Sequence, residues 1–483
     1  MSTIPAERAE GAGTTGSREG SGHPASIETR RIGLILSTML LCLAAILLLQ
    51  SARSCTARRD LEAARRVHRT GLVATSLSSG AASAGHAALL AASGASGVWE
   101  ADGYCWPQPR GCPSGNAAWG EDVVAPFEEE WRVHTGREFF AGPALADGVL
   151  YIGCNDGFFR AIDCDNGAEV WRMQASCGFC GEACVDSATV YVGGQDGYLY
   201  ALDRRTGSRV WSAGLGYHVF AGVALFADSL VATGNSAGSV AALERSTGEV
   251  VWSDSPGGVI LGPAVCDSVI VFTSESGRVV AYDRAGQRLW SVSCQGVASA
   301  PSIAGGRVFV GFSDGSVRCF DMVSGEQVWA RDLTSAPLRA VLSRPAIMDD
   351  HLFLGTCDSR LVCLGTNDGE LLWELHFENW MQVPPAVAET LLYIPGDDQR
   401  LHVIDWREGT KLDSLEIGGY AGSPPLLVGN RIYLGTAMGD LMALGGSIPL
   451  PPDTVPSTAG SGELAQPGDS LAGGEGADGT RQQ

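Results

Sequence analysis

A repeat of about 40 residues constrains the fold of this chain more than any other feature of its sequence. Its clearest copy, residues 191–211, reads YVGGQDGYLYALDRRTGSRVW, in which an Asp-Gly turn separates two alternating apolar runs. Alternation with a period of two predicts β-strands, and Asp-Gly supplies the positive φ angles of a tight hairpin. Tryptophans mark the ends of successive copies: Trp131, Trp171, Trp211, Trp252, Trp290, Trp329 and Trp373.

These copies predict an all-β fold, an eight-bladed β-propeller with four strands in each blade. The seventh copy, around Asp405, has Asp413 where tryptophan is expected, and the eighth stops after its third strand at Ala443-Leu444. Residues 127–131, which precede the first copy, resemble a lone fourth strand that ends in Trp131. If this strand pairs with the eighth copy, the ring closes and no sheet edge stays open.

The charge of the chain excludes nucleic acid as a partner. The formal charge is −21, from 54 acidic and 33 basic residues. Residues 121–446 contain 41 of the acidic and 21 of the basic residues, so the repeats alone carry a charge of −20. That charge repels phosphate backbones and anionic lipid headgroups.

The composition divides the chain into five predicted segments. Residues 1–31 are polar and are predicted to be disordered, and residues 32–50 are predicted to form a single N-terminal membrane helix. Residues 51–120 form a low-complexity linker in which Cys105 and Cys112 are close enough for a disulfide-closed loop. The propeller occupies residues 121–446, and residues 447–483 form a disordered tail rich in Pro, Gly and Ser.

The apolar segment IGLILSTMLLCLAAILLL, residues 32–49, has three interpretations. It is an uncleaved anchor, a signal peptide cleaved near residues 52–54, or a lipoprotein signal with Cys55 as the lipidated residue. We favour the anchor, because the run is long for a signal peptide and Arg53 stands where a lipoprotein signal has a small residue. More arginines follow the segment than precede it, which by the positive-inside rule places the propeller in the cytoplasm.

Three cysteines, Cys177, Cys180 and Cys184, have a spacing that suits a metal site. Three thiolates would need a fourth ligand to hold zinc or iron, and Cys154 and His218 are the nearest candidates in the repeat register. A disulfide or buried free thiols are the simpler alternatives.

Two matches to the G-x-S-x-G nucleophile elbow, around Ser236 and Ser313, are interpreted as hairpin turns. Both stand in the register of the Asp-Gly turns, and no helical pattern follows them, whereas an elbow joins a strand to a helix. No catalytic residue is assigned. The marker tryptophans are expected to pack between blades, and the aspartate of each A-x-D element to bond the backbone of the next turn.

The pattern A-x-D-x-x-x-G-x-x-x-W, with V-Y-V-G-x-x-D-G upstream, resembles the tryptophan-docking repeat of pyrroloquinoline-quinone (PQQ)-type propellers. In one group of this family, the quinoprotein alcohol and glucose dehydrogenases, the propeller binds the quinone and calcium over its central channel. The other group is non-enzymatic and is typified by the propeller lipoprotein of the bacterial outer-membrane protein assembly machine. This chain lacks the vicinal cysteine pair of the dehydrogenases, and its short blades leave no room for their cofactor-binding insertions. It therefore resembles the second group more closely.

The resemblance implies a membrane-tethered binding or scaffold module outside the cytoplasm, in the periplasm or at the cell surface, with envelope protein assembly as one such role. No enzymatic activity and no cofactor are expected; the alternative is a PQQ-dependent dehydrogenase. A protein partner is expected at the channel mouth, and the N-terminal helix is expected to contact the membrane. The predicted binding rim consists of Phe139, Phe140, Phe220, Arg339, Arg344, Trp380, Met381 and Tyr420.

Overall fold

Eight antiparallel sheets, each with four main strands and one with a short additional strand, follow one another in a computed structural model that describes residues 105–106, 122–333 and 340–447. Each sheet is one blade, and the first strands of most neighbouring blades contact each other. These first strands are therefore innermost, and the fourth strands with the marker tryptophans are outermost. The predicted all-β, eight-bladed propeller with four-stranded blades is confirmed.

The first four blades are formed by consecutive strands, and one short strand, β1 (Cys105–Trp106), pairs with the inner strand of blade 1. A second strand from this end of the chain, β2 (Val124–His134), belongs to blade 8. Blades 1 and 2 contain β3 (Ala144–Ala146), β4 (Val149–Gly153), β5 (Phe158–Asp163), β6 (Glu169–Gln174), β7 (Cys184–Val185), β8 (Thr189–Gly193), β9 (Tyr198–Asp203) and β10 (Arg209–Gly214). Blades 3 and 4 contain β11 (Ala224–Phe226), β12 (Leu230–Gly234), β13 (Val240–Glu244), β14 (Val250–Asp254), β15 (Ile260–Cys266), β16 (Val269–Ser274), β17 (Arg278–Tyr282) and β18 (Arg288–Ser293).

The remaining four blades have the same strand order. Blades 5 and 6 contain β19 (Ser302–Ala304), β20 (Arg307–Gly311), β21 (Ser316–Asp321), β22 (Gln327–Asp332), β23 (Ala346–Met348), β24 (His351–Gly355), β25 (Arg360–Gly365) and β26 (Leu371–His376). Blade 7 and the chain-end strands of blade 8 are β27 (Ala386–Val387), β28 (Leu391–Pro395), β29 (Arg400–Asp405), β30 (Thr410–Glu416), β31 (Leu426–Val428), β32 (Arg431–Gly435) and β33 (Asp440–Ser447).

The ring closes between the two ends of the propeller. Strand β2 pairs antiparallel with β33, with Trp131 opposite Ala443 and His134 opposite Asp440. Blade 8 therefore takes its outer strand from residues that precede blade 1, because this pairing leaves neither end of the ring as an open edge. The predicted closure by residues 127–131 is confirmed, and the strand is longer than the sequence indicated.

Residues just before β2 also contact blade 7. The Asp122 carboxylate accepts the Leu391 N–H at 2.9 Å and the Thr390 N–H at the same distance. The Tyr393 hydroxyl contacts both the N–H and the carbonyl oxygen of Val123, at 2.7 Å each. The incoming chain is thereby attached to two blades.

Each marker tryptophan docks on the next blade, as the sequence predicted. Its indole Nε1–H donates to a backbone carbonyl of that blade at 2.8–3.1 Å. Its ring lies against a glycine in the turn between the third and fourth strands. The pairs are Trp131–Gly167, Trp171–Gly207, Trp211–Gly248, Trp252–Gly286, Trp290–Gly325, Trp329–Gly369 and Trp373–Gly409. Tryptophan and glycine of the repeat are thus two halves of one contact between blades.

This contact explains the missing tryptophan at Asp413. Blade 7 precedes blade 8, whose third strand β33 and fourth strand β2 lie at opposite ends of the propeller sequence. No hairpin turn joins these two described strands, so blade 8 has no glycine turn on which a tryptophan of blade 7 could dock. The Val123 segment packs near Gly446 there instead.

The aspartates of the A-x-D elements bond the following turn, as predicted. The Asp163 carboxylate accepts the N–H groups of Asp165 and Asn166 at 3.0 and 3.2 Å, and Asp203 accepts that of Thr206 at 2.9 Å. These local bonds hold the turn that carries the docking glycine.

Several predicted segments lie outside the described residues: the N-terminal segment 1–31, the membrane helix 32–50, most of the linker 51–120 including Cys112, and residues 448–483 of the tail. In the part of the chain that the structure describes, no helix is long and apolar enough to cross a membrane.

Candidate binding surface at the channel mouth

Two kinds of segment form one end of the central channel. The residues that join the outer strand of one blade to the inner strand of the next are here called the lead segment, and the turn between the second and third strands of a blade is called its mouth turn. In every blade a mouth-turn N–H donates to a lead-segment carbonyl at 2.8–3.1 Å. The donor–acceptor pairs are Asn155–Glu138, Gln195–Gly178, Ser236–His218, Glu275–Val259, Ser313–Val297, Cys357–Ala340, Asp397–Trp380 and Ala437–Tyr420.

The residue that follows each of these carbonyls has its side chain directed into the protein interior. In most blades its N–H donates to the mouth turn of the preceding blade, as Phe139 does to Thr436 at 3.1 Å and Met381 to Thr356 at 3.2 Å. Both side chains are fully buried. Phe139 and Met381 were predicted as binding-rim residues, and that prediction is wrong, because this backbone pairing directs them into the core between two blades.

Among the predicted rim residues that the structure describes, Phe140 and Tyr420 are the most exposed, at 47% and 41%. Met438, which is 56% exposed, belongs to the same area, since Tyr420 accepts the N–H of its neighbour Ala437 at 2.8 Å. We call Phe140, Tyr420 and Met438 the seam patch, because they lie where blades 8 and 1 meet. Sequence reasoning missed Met438, although it stands where five of the eight copies have aspartate.

The other predicted rim residues differ in exposure. Phe220 and Trp380 are half-buried, and the Phe220 ring packs against the His218 ring at 5.4 Å. Arg339 lies outside the described residues. Arg344 is only 5% exposed, so it was wrongly predicted as a surface contact.

Arg344 instead reaches across the channel. Its Nη1 lies 3.4 Å from Glu182 Oε2 and its Nη2 donates to the Pro263 carbonyl at 3.2 Å. These residues come from the lead segments of blades 6 and 2, which are opposite in an eight-membered ring, and from the inner strand of blade 4. Eight residues stand at this innermost position: Gly142, Glu182, Gly222, Gly262, Ala300, Arg344, Pro384 and Pro424. Small neighbours give the Arg344–Glu182 pair the space to cross.

The three clustered cysteines have three different environments. Cys177 is exposed, Cys180 is half-buried and Cys184 is fully buried in β7. Cys180 Sγ donates to Asn155 Oδ1 at 2.9 Å and accepts from Gln195 Nε2. Burial raises the pKa of Cys180 to about 11 and also raises the pKa of Cys177 and Cys184, which disfavours the thiolate that a metal needs.

The proposed fourth ligands have other contacts. Cys154 Sγ lies 3.3 Å from Thr135 Oγ1 and from the Arg137 carbonyl, and His218 Nδ1 lies against the Gln195 carbonyl. Among the described residues, no group of three or more His, Cys, Asp or Glu side chains is arranged to hold a metal ion. All ten cysteines of the described ranges 122–333 and 340–447 are free thiols.

Both candidate nucleophile serines lie in mouth turns, as predicted. Ser236 donates its N–H to the His218 carbonyl at 2.9 Å, and Ser313 Oγ accepts the Val297 N–H at 2.8 Å. The Ser313 hydroxyl therefore holds the lead segment through a hydrogen bond. Neither serine follows a strand-to-helix elbow.

Comparison with known families gives one match over most of the chain. The family model described as outer membrane protein assembly factor BamB matches residues 113–258, 236–346 and 313–447. No curated protein sequence matches the chain.

Solved structures share the fold at low sequence identity. BamB from Moraxella catarrhalis is 19% identical with a TM-score of 0.57, and the match covers 66% of this chain and 98% of that chain. The quinohemoprotein alcohol dehydrogenase ADHIIG from Pseudomonas putida is 13% identical with a TM-score of 0.59, over 72% of this chain and 81% of that chain. The computationally designed Ika8 protein is 17% identical with a TM-score of 0.58, over 68% of this chain and 100% of that chain. These likenesses concern the fold alone.

Proposed function

Because this chain belongs to the family of the outer membrane protein assembly factor BamB, we propose that it is a non-enzymatic binding module for a protein partner in envelope assembly. The observation that carries the proposal is the seam patch. Phe140, Tyr420 and Met438 expose large apolar side chains on neighbouring segments at one end of the channel. Aromatic residues and methionine are enriched in protein interfaces, where a few such side chains supply most of the binding energy.

The lead segments and mouth turns that carry the seam patch suit a surface that binds a partner without changing its backbone conformation. Lead segments and mouth turns are joined by backbone hydrogen bonds in all eight blades, so the patch rests on a rigid base. A preorganised surface loses little conformational entropy when a partner binds. The residue Phe139 anchors its neighbour Phe140 through full burial of its own ring.

The innermost ring supports a role other than quinone catalysis. Two of its eight residues are charged, and the Glu182 carboxylate is paired with Arg344 across the channel. A cofactor over the channel would need polar groups directed at the quinone and carboxylates for calcium. The one carboxylate in this ring, Glu182, forms an ion pair with Arg344, and the six uncharged positions hold glycine, alanine or proline.

A co-purification experiment tests the proposal. The full chain and its Phe140→Ser/Tyr420→Ser/Met438→Ser variant are crosslinked and isolated from native membranes. Val170, Val210 and Leu412, 52%, 56% and 58% exposed on outer strands, provide the matched triple serine control. We expect a specific protein partner with the wild type and the control, and its loss with the seam-patch variant. Equal recovery by all three proteins contradicts the proposal.

We also propose that residues 32–50 tether the propeller to the membrane, that residues 51–120 link the two, and that the propeller at 121–446 lies outside the cytoplasm. Supporting this is the family of the chain, whose description refers to the outer membrane. Cys177 is an exposed thiol that reports on the orientation. A membrane-impermeant maleimide should label it in cells stripped of their outer barrier, and protection of Cys177 until the inner membrane is lysed contradicts the assignment.

A PQQ-dependent dehydrogenase remains the second candidate, and the likeness in fold to a quinohemoprotein alcohol dehydrogenase is the observation that favours it. The two candidates differ in what they bind at the channel mouth, a protein or a quinone with calcium.

A further inference from the structure

Four mouth turns are each stabilised by a hydrogen bond between two side chains with the same spacing. An aspartate in the turn accepts a hydrogen bond from a side chain four residues later, on the third strand. The pairs are Asp156–Arg160, Asp196–Tyr200, Asp314–Arg318 and Asp398–His402. Two of these donors are permanently charged and one is a phenol, whereas the fourth, His402, is an imidazole, the side chain whose ordinary pKa lies close to neutral pH.

His402 is buried, and among the described residues one of its two ring nitrogens has a polar partner. The side chain is 1% exposed, and Nε2 lies 2.9 Å from Asp398 Oδ2. Nδ1 has no hydrogen-bond partner within the described part of the chain, and the centroids of the His402 and Phe377 rings are 4.8 Å apart. A neutral ring donates its Nε2–H to Asp398 and leaves only the Nδ1 lone pair unpaired, whereas a second proton on Nδ1 would add a buried charge and a buried donor without an acceptor.

Nearby charges act in both directions on this ring. Burial lowers the pKa of His402, Asp398 opposes that effect, and Lys411 and Arg400 add to it. The neighbouring Asp397 is itself largely desolvated, and burial raises its pKa. Lys411 approaches from the outer strand β30, with its Nζ 5.8 Å from the Phe377 ring.

The braced turn holds the lead segment of blade 7. The Asp397 N–H donates to the Trp380 carbonyl at 3.0 Å, and the N–H of the next residue, Met381, donates to the mouth turn of blade 6 at 3.2 Å. A change in the Asp398–His402 contact therefore reaches Trp380, a half-buried aromatic at the channel mouth.

We propose that His402 is a pH-sensitive brace of the channel mouth: the neutral ring holds the blade 7 mouth turn and Trp380 in place, and protonation releases them. The brace itself is independent of any partner. Its effect on binding rests on the proposed function, whereas the experiment below measures the turn directly.

The direction in which stability changes with pH follows from proton linkage. His402 has a lower pKa in the folded protein than in the unfolded chain, so the unfolded chain binds more protons in acid. The neutral His402 ring contributes fully to stability above its pKa in the unfolded chain, about 6.5. This contribution is lost as the pH falls from there towards the pKa of His402 in the folded protein. Across that window each pH unit raises the unfolding constant of the wild type, relative to a variant without the imidazole, up to about tenfold.

Hydrogen exchange on the unmodified full chain tests the brace. We compare residues 396–402 with residues 194–200, the matched mouth turn that Tyr200 braces in blade 2, at pH 7.5 and pH 5.5 after correction for intrinsic rates. We expect the blade 7 segment to lose protection in acid and the blade 2 segment to keep it. Equal behaviour of the two segments overturns the proposal.

Denaturant unfolding of variants tests it independently. His402→Gln keeps a donor for Asp398 without a titratable ring, and His376→Gln, whose side chain is 71% exposed, is the control. We expect the ratio of the wild-type and His402→Gln unfolding constants to rise as the pH falls below 6.5, and His376→Gln to follow the wild type. A ratio that is independent of pH overturns the proposal, and if His402→Gln does not fold, the exchange comparison decides alone.

Discussion

At the scale of single residues, the glycine of the repeat is constrained twice. Gly207 has a φ of +69°, and a Cβ added to it would lie 2.5 Å from Cε3 of Trp171. The first constraint is the positive φ of the backbone, and the second is the close contact with a tryptophan of the preceding blade. Gly216 has a φ of +83° with nothing within 4 Å of an added Cβ, so it carries the first constraint alone.

This difference predicts the effects of two alanine substitutions. Gly216→Ala should lower the free energy of unfolding by about 1–2 kcal/mol, the usual cost of a left-handed backbone for an L-residue. Gly207→Ala should lower it by about 1–3 kcal/mol more, since the methyl group displaces the Trp171 ring from its site. Urea unfolding measures both. Equal losses for the two variants would mean that the tryptophan contact does not depend on the missing side chain.

Which residues are buried in the core and which are exposed at the channel mouth was only partly predictable at this scale. The spacing of the marker tryptophans predicted their role between blades, because they recur at blade spacing in seven of the eight blades. Phe139 and Phe140 are adjacent and chemically alike, and the sequence contains no signal for which one is buried. A backbone hydrogen bond to blade 8 decides it. The His402 brace was missed because this position varies among the copies: four have arginine, tyrosine or histidine there, and the other four have alanine, valine or methionine.

At the scale of secondary structure elements, β2 determines whether the ring is complete. Seven of its eleven residues have partners in β33, and Asp122 and Val123 continue the contact onto blade 7. The lone strand and the incomplete last copy together predicted the pairing. The contact of Asp122 with Thr390 and Leu391 could not be predicted, since it lies outside the repeat and follows no recurring pattern.

Truncation separates the two contributions. A chain starting at Glu121 should have the highest melting temperature, one starting at Val124 should melt lower because it lacks the bonds of Asp122 and Val123, and one starting at Gly136 should melt lowest or precipitate. The last of these exposes the edge of β33 and removes Trp131 from blade 1. Differential scanning calorimetry gives the order, and equal melting temperatures for Glu121 and Gly136 starts contradict closure by β2.

At the scale of the whole molecule, the chain combines a closed ring, a channel crossed by Arg344 and Glu182, and an apolar patch where the ring closes. The number of blades and the family were predictable from the repeat alone. The crossing pair was not, because Glu182 and Arg344 are 162 residues apart and meet only through the ring geometry. Its position bears directly on whether the molecule binds a protein or a quinone.

The most direct test of the central claim, a binding module rather than a quinone enzyme, is a titration of the purified full chain with PQQ and calcium. Thermal unfolding and quinone absorbance after gel filtration are measured together. We predict an unchanged melting temperature, no retained quinone and no dye reduction with alcohols. A ligand present at 100 times its Kd would stabilise the folded state by about 2.7 kcal/mol. One retained quinone per chain, with a raised melting temperature, would contradict the account.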